Sequence, residues 1–193
     1  MTGLNPRQNR RIHMKSLRIL LPLTLFALST IAFAQSDSPK SFDTMKTLAG
    51  TWTGPVKLDP PNTEMGSTGK PVRVSLRVTS RGNAIVHEMQ EDATVEDATK
   101  YDHPVTMFYE DNGRLILTHY CDAGNRPRME GKLSPDGKTV DFTFLDVSGN
   151  TQFGHMQHAT FTVIDANHHT EDWTYLMPGD KLMHAHFDLT RAR

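Results

Sequence analysis

Between residues 51 and 191 apolar and polar positions alternate in short runs, and the repeat is close to two rather than to the 3.6 of a helix. The clearest run is Val72, Val74, Leu76 and Val78, interleaved with Arg73, Ser75, Arg77 and Thr79. Such alternation predicts a strand with one face in a core and the other in water. Ten strands are expected on this basis, at 51–58, 72–79, 85–90, 105–110, 115–121, 129–133, 139–147, 154–165, 169–177 and 181–191. The breaks between them carry turn chemistry. Asp111-Asn112-Gly113-Arg114 places Asn-Gly between two apolar runs, a strong short-range hairpin signal, and Ser134-Pro135-Asp136-Gly137-Lys138 marks a second hairpin. Ahead of the strands, Phe42, Met45 and Leu48 recur at helical spacing before Gly50, with Ser41 or Asp43 placed to cap, which predicts one short helix able to plug an end. The resulting fold class is all-β: an up-and-down antiparallel β-barrel of about ten strands with a short N-terminal helix. Closure removes the exposed edges that an open sheet would leave.

The first 34 residues have a different pattern. Ile19 to Leu28 is almost wholly apolar, follows Lys15 and Arg18, and leads to Ala32-Phe33-Ala34. This is the layout of a signal peptide. The apolar stretch is shorter than the roughly 20 residues of a membrane-spanning helix. Residues 1–34 are therefore read as a leader cleaved before Gln35, with Met14 as the favoured start, and residues 35–193 as one barrel domain. Secretion or export to a periplasm is the expectation, without a stable membrane anchor after cleavage. The whole chain has a formal net charge of −1. Its leader holds Arg7, Arg10, Arg11, Lys15 and Arg18 and no acid, so the remainder is acidic. An acidic domain lacks the field that draws nucleic acid.

Leu48-Ala49-Gly50-Thr51-Trp52-Thr53-Gly54 resembles the L-x-G-x-W-x-G opening of the calycin superfamily, which includes lipocalins, fatty-acid-binding proteins and nitrobindin-like barrels. The resemblance implies that Trp52 packs against a cation on the last strand, here Arg191, to close one end. The stretch 117–129 looks like an uncharacterised bacterial secreted family within that group. A small closed barrel can enclose a single ligand in a mostly apolar cavity, so an exported carrier or sensor of a small apolar or amphipathic molecule is the leading expectation. Nitrobindin-like barrels hold haem through a histidine near the final strand in a pattern like H-x-x-x-x-L-x-R, and His184, Leu189 and Arg191 fit that spacing, with His186 as a second candidate. The same strand carries an apolar face, Met183, Ala185, Phe187 and Leu189, opposite both histidines. If that face lines the interior, both imidazoles point outward.

Ten histidines are present, and histidine both titrates near neutrality and ligates metals. His184-x-His186 and His119-x-Cys121 each put two donors on one side of a strand. If the strands faced one another, the four residues would form a zinc or copper site, so a metal-dependent enzyme or metal carrier is the alternative function. Arg126 and Arg128, in the loop after Cys121, are candidates for holding a carboxylate at a barrel mouth, with plain surface arginines as the alternative. His155, His158, His168 and His169 are expected to face water. His87-Glu88 starts like H-E-x-x-H but lacks the second histidine and lies on a strand. With Cys121 the single cysteine, no internal disulfide is available. No phosphate-binding or nucleophile-elbow motif occurs, so a ligand-binding barrel is favoured over an enzyme, and an interaction domain without a ligand is the third class.

Overall fold

A computed structural model describes residues 38–61, 71–91, 97, 99–100 and 102–192. The expected leader at 1–34 lies outside the described residues, as does part of the acidic loop expected from Glu91 to His103, where Glu91-Asp92-Ala93-Thr94 recurs as Glu96-Asp97-Ala98-Thr99. The chain from Ser38 onward forms a helix α1 (Ser38–Thr47) followed by strands β1 (Gly50–Gly54), β2 (Val56–Asp59), β3 (Val72–Thr79), β4 (Ala84–Glu91), β5 (Val105–Asp111), β6 (Arg114–Tyr120), β7 (Asn125–Leu133), β8 (Thr139–Gly149), β9 (His155–Asp165), β10 (His168–Met177) and β11 (Lys181–Arg191). Every pairing is antiparallel. The order runs β1-β3-β4-β5-β6-β7-β8-β9-β10-β11, and β1 also pairs with β11, which closes a ten-stranded barrel. The extra strand β2 continues β1 along β11. Trp52 faces Arg191 and Val56 faces Phe187, so the register is kept across Pro55, whose missing N–H interrupts the ladder.

The alternation read from the sequence sorts side chains between inside and outside. On β3, Val72, Val74 and Leu76 are buried while Arg73 and Arg77 are exposed. Asn112 and Gly113 both adopt positive φ, as the tight turn joining β5 to β6 requires. Two elements are longer than their sequence signals. β7 begins at Asn125 because Arg126, Pro127 and Arg128 pair with Ser148, Val147 and Asp146 of a long β8. α1 begins at Ser38, with Pro39 tolerated in its first turn, where its lack of an N–H matters least. Ser38 Oγ donates to Glu110 at 2.9 Å, anchoring that turn on β5.

One end of the barrel is sealed. Phe42, Met45 and Leu48 of α1 join Trp52, Leu115, Phe142 and Leu189 in a single buried cluster. Trp52 Nε1 donates to the Leu48 carbonyl at 2.8 Å, and the Arg191 guanidinium carbon lies 4.1 Å from the Trp52 ring centroid. Arg191 also donates through Nη1 to the Ala49 carbonyl at 2.9 Å and through Nε to that of Ala166 at 3.0 Å. The opening motif's glycines now have a physical reason. A side chain at Gly50, which has φ of +146°, would run into the Arg191 guanidinium, and one at Gly54 into the Asp188 carbonyl of β11.

Candidate functional site

Three inward positions of β10, His169, Glu171 and Trp173, lie on one face because they are two residues apart. Glu171 is wholly buried and its carboxylate collects three donors. His169 Nε2 donates to Oε1 at 3.0 Å and Trp173 Nε1 to Oε2 at 3.1 Å. His87 Nε2, from β4, reaches both oxygens at 3.2 and 3.0 Å. β4 and β10 are not neighbours in the sheet, so this hydrogen bond spans the interior and ties opposite walls together. Burial alone would raise the Glu171 pKa. The charge of His87 and the hydrogen bonds from His169 and His87 outweigh it and hold the carboxyl well below its ordinary range.

His119 of β6 is also fully buried, with Nδ1 2.9 Å from Thr106 Oγ1 of β5 and its ring 5.4 Å from that of Trp173. Burial first, and His87 second, lower its pKa to about 3, so it is neutral at physiological pH. His87 Nδ1, His169 Nδ1 and His119 Nε2 are buried without a hydrogen-bond partner. Around them pack Phe108, Phe142, Phe161 and Trp173, with ring centroids 5.4 to 5.8 Å apart. The middle of the barrel is thus a polar knot set in aromatic rings.

Burial loosens toward the end opposite α1. On β10, Trp173 is 1% exposed and Tyr175 is 9%; on β3, Val74 is fully buried and Val72 is 7% exposed. Met89, beyond His87 on β4, is half-buried, as are Met156 of β9, Ala185 of β11 and Val56 of β2, all packed against the core. These inward apolar side chains, with Met183 and Leu58, line the barrel above the knot at the end opposite α1. At its rim a cleft of about 440 Å³ is lined by Asp102, His103, Val105, Tyr120, Cys121 and Asp122, among others. The donor atoms of Asp102, Cys121 and Asp122 lie within 4.8 Å of one another. Partial burial, then the Asp122 charge, raises Asp102 to about 6, while the Asp122 N–H donates to its Oδ1 at 3.1 Å. Burial pushes the Cys121 thiol up to about 11, with both aspartates adding to the effect. A thiol so held is protonated and a weak nucleophile.

The structure separates the residues that the sequence grouped. On β11 the apolar face, Met183, Phe187 and Leu189, is the buried one. His184 and His186 stand exposed on the outer wall, where His184 Nδ1 meets Thr174 Oγ1 at 3.0 Å and His186 Nδ1 meets Asp172 at 2.6 Å. A haem inside the barrel would reach neither, and the expected placement of these two as interior ligands is corrected on that ground. The four-residue metal cluster is not assembled either: His119 is inside, Cys121 is at the rim, and His184 and His186 are outside. Arg128 also lies on the outer wall, where its Nε donates to Asp146 at 2.9 Å, so it does not point into the mouth. Trp52 and Arg191 meet as the opening motif implied.

His169 corrects another expectation, since it is buried 4.2 Å from the Trp52 ring. His87, His169 and Glu171 were missed as site residues because hydrophobic periodicity assigns polar residues to the outside. Their signal was phase: His87 shares the phase of Ile85 and Met89, and Glu171 that of Trp173 and Tyr175.

Neither a protein-family model nor a curated protein matches this chain. Among solved structures, the chain is similar to a protein of unknown function from the DUF3598 family of Nostoc punctiforme PCC 73102, at 6% identity and a TM-score of 0.21, over 79% of this chain and 99% of that one. What the fold and site define is a class: a closed ten-stranded antiparallel β-barrel, capped by a short helix at one end, whose shape is suited to holding a ligand.

Proposed function

We propose that this protein is an exported carrier or sensor of the calycin kind, which takes a small apolar or amphipathic molecule into the mouth opposite α1. The observation that carries this reading is the loosening of burial at the end opposite α1, where the inward side chains Met89, Met156, Ala185 and Val56 are half-buried, while α1, Trp52 and Arg191 close the other end. Three of the mouth side chains, Met89, Met156 and Met183, are methionines. Their flexible, polarizable thioethers adapt to ligands of different outline. The polar knot beneath gives the mouth a fixed floor, and its unpartnered imidazole nitrogens are hydrogen-bonding capacity that burial penalises unless something uses it. Kinship with calycins draws support from the L-x-G-x-W-x-G opening, whose glycines, tryptophan and arginine partner all have structural work at the seam.

Native mass spectrometry of the purified protein, together with displacement of a neutral environment-sensitive dye, tests the reading. A co-purified small molecule or saturable dye binding is expected, and Met156→Glu, which puts a charge in the mouth, should weaken dye binding at least about tenfold. A protein that emerges empty and takes up no dye ends it. The second reading, an interaction domain without a ligand, is favoured by one observation: opposite walls touch at His87 and Glu171, so the centre of the barrel is occupied by its own side chains.

A further inference from the structure

We infer that the molecule this barrel accepts carries no negative charge: it is an uncharged or cationic amphiphile, and anions such as fatty-acid carboxylates are excluded. The inference rests on the ligand-binding reading above and specifies its ligand class.

The first observation is the composition of the interior. Among the described residues the buried polar and charged ones are Ser38, Ser41, His87, Thr106, Thr118, His119, Asn125, His169 and Glu171. Among the described residues no lysine or arginine is buried, and the one buried carboxylate sits across the floor of the mouth. A carboxylate ligand entering from that end would lose its hydration and find no free guanidinium or ammonium to replace the water, since the charge of His87 is already committed to Glu171. Neutral His119 offers a hydrogen bond but no charge.

The second observation is the rim. Asp102 and Asp122 lie close enough for their donor atoms to fall within 4.8 Å, beside the exposed ring of Tyr120. Neither carboxylate has a cation partner among the described ion pairs, whereas Lys100 is engaged by Asp97 at 3.2 Å. Lys57 points outward from β2, and Lys181 is exposed at the start of β11. Among the described residues between β4 and β5, Asp97 and Asp102 stand against Lys100. Approach to the mouth is therefore through a negative field, which slows anions and attracts cations. Arg191, the cation best placed near the barrel axis, is at the far end and committed to Trp52, Ala49 and Ala166.

The test uses three chains of one length that differ only in the head group: dodecan-1-ol, dodecyltrimethylammonium and dodecanoate, each below its critical micelle concentration, displacing a neutral dye from the purified protein at pH 7.5. Dodecanol and the ammonium should bind, and dodecanoate should bind at least about tenfold more weakly than dodecanol, with the gap shrinking at high salt. In the Asp102→Asn/Asp122→Asn double variant the dodecanoate gap should narrow while dodecanol affinity stays constant. Dodecanoate binding as tightly as dodecanol, or a gap indifferent to both salt and the rim substitutions, would overturn the inference while leaving the carrier reading intact. Binding by none of the three would remove the carrier reading and this inference with it.

Discussion

At the scale of single residues, the most consequential side chains are those that place charge where the sheet is dry. Glu171 has its three donors in place, and Glu171→Gln turns an acceptor-only group into one that presents its own N–H groups to His87, His169 or Trp173. Breaking a buried ionic partnership in this way destabilises by about 3–5 kcal/mol, which urea denaturation would read as a lower midpoint at unchanged slope. His119 gives a pH prediction with a definite sign. Its folded pKa, about 3, lies below the ordinary 6.5, so the unfolded chain takes up the proton first as the pH falls. Stability therefore declines from about pH 6.5 downward, by up to about 1.4 kcal/mol per pH unit. Glu171 adds its own loss only at lower pH, because its folded pKa is also depressed and its stabilisation is complete above the ordinary carboxylate value. His119→Gln should flatten the dependence between pH 6.5 and 5 and leave the steeper acid limb; an unchanged profile would contradict the burial of a neutral imidazole.

At the scale of elements, the seam between β1 and β11 decides whether the barrel is closed. Arg191→Lys keeps the charge but loses the planar stack on Trp52 and the paired donation to two carbonyls, and is expected to lose about 1–2 kcal/mol. Gly54→Ala should be worse than its small size suggests, at about 2 kcal/mol or more, because the added carbon collides with the backbone of β11 rather than with a movable side chain. Thermal denaturation of the two variants against an outer-wall control such as Thr190→Ser checks both. Strand existence was largely legible in the sequence: ten alternating segments, their turns, and the Trp52 and Arg191 pairing. Strand length was less so, since Asn125 to Arg128 carry no hydrophobic alternation and become strand only because a long β8 offers them a ladder.

At the scale of the whole molecule, closure joins Trp52 to Arg191, at the two ends of the described barrel, whereas the other neighbouring pairs of the barrel lie close together along the chain. Non-local contacts of this kind come late in folding because they bear the largest loop-closure entropy. Arg191→Lys should therefore accelerate unfolding while leaving the refolding rate nearly constant, as a two-armed plot of rate against urea would show. Equal slowing of refolding would mean that the seam belongs to the nucleus instead. The same architecture sorts the candidate ligands. A continuous sheet has one inside, and once Met183, Phe187 and Leu189 occupy it on β11, His184 and His186 have no alternative to the outer wall.

The order of polar and apolar residues along the chain determined by itself that this is an all-β chain and where its turns lie, because both properties are local or depend on period. The pairing of Trp52 with Arg191 was implied by the resemblance of the opening motif, and the closed sheet brings the two together across the length of the barrel. Which polar residues lie inside was decided only by the tertiary structure. A histidine or glutamate at an inward phase reads like any exposed polar residue until the opposite wall supplies its partner, and the partners of Glu171 come from β4 as well as from its own strand. The distance between residues 87 and 171 along the chain hides what a hydrogen bond of about 3 Å across the interior makes plain.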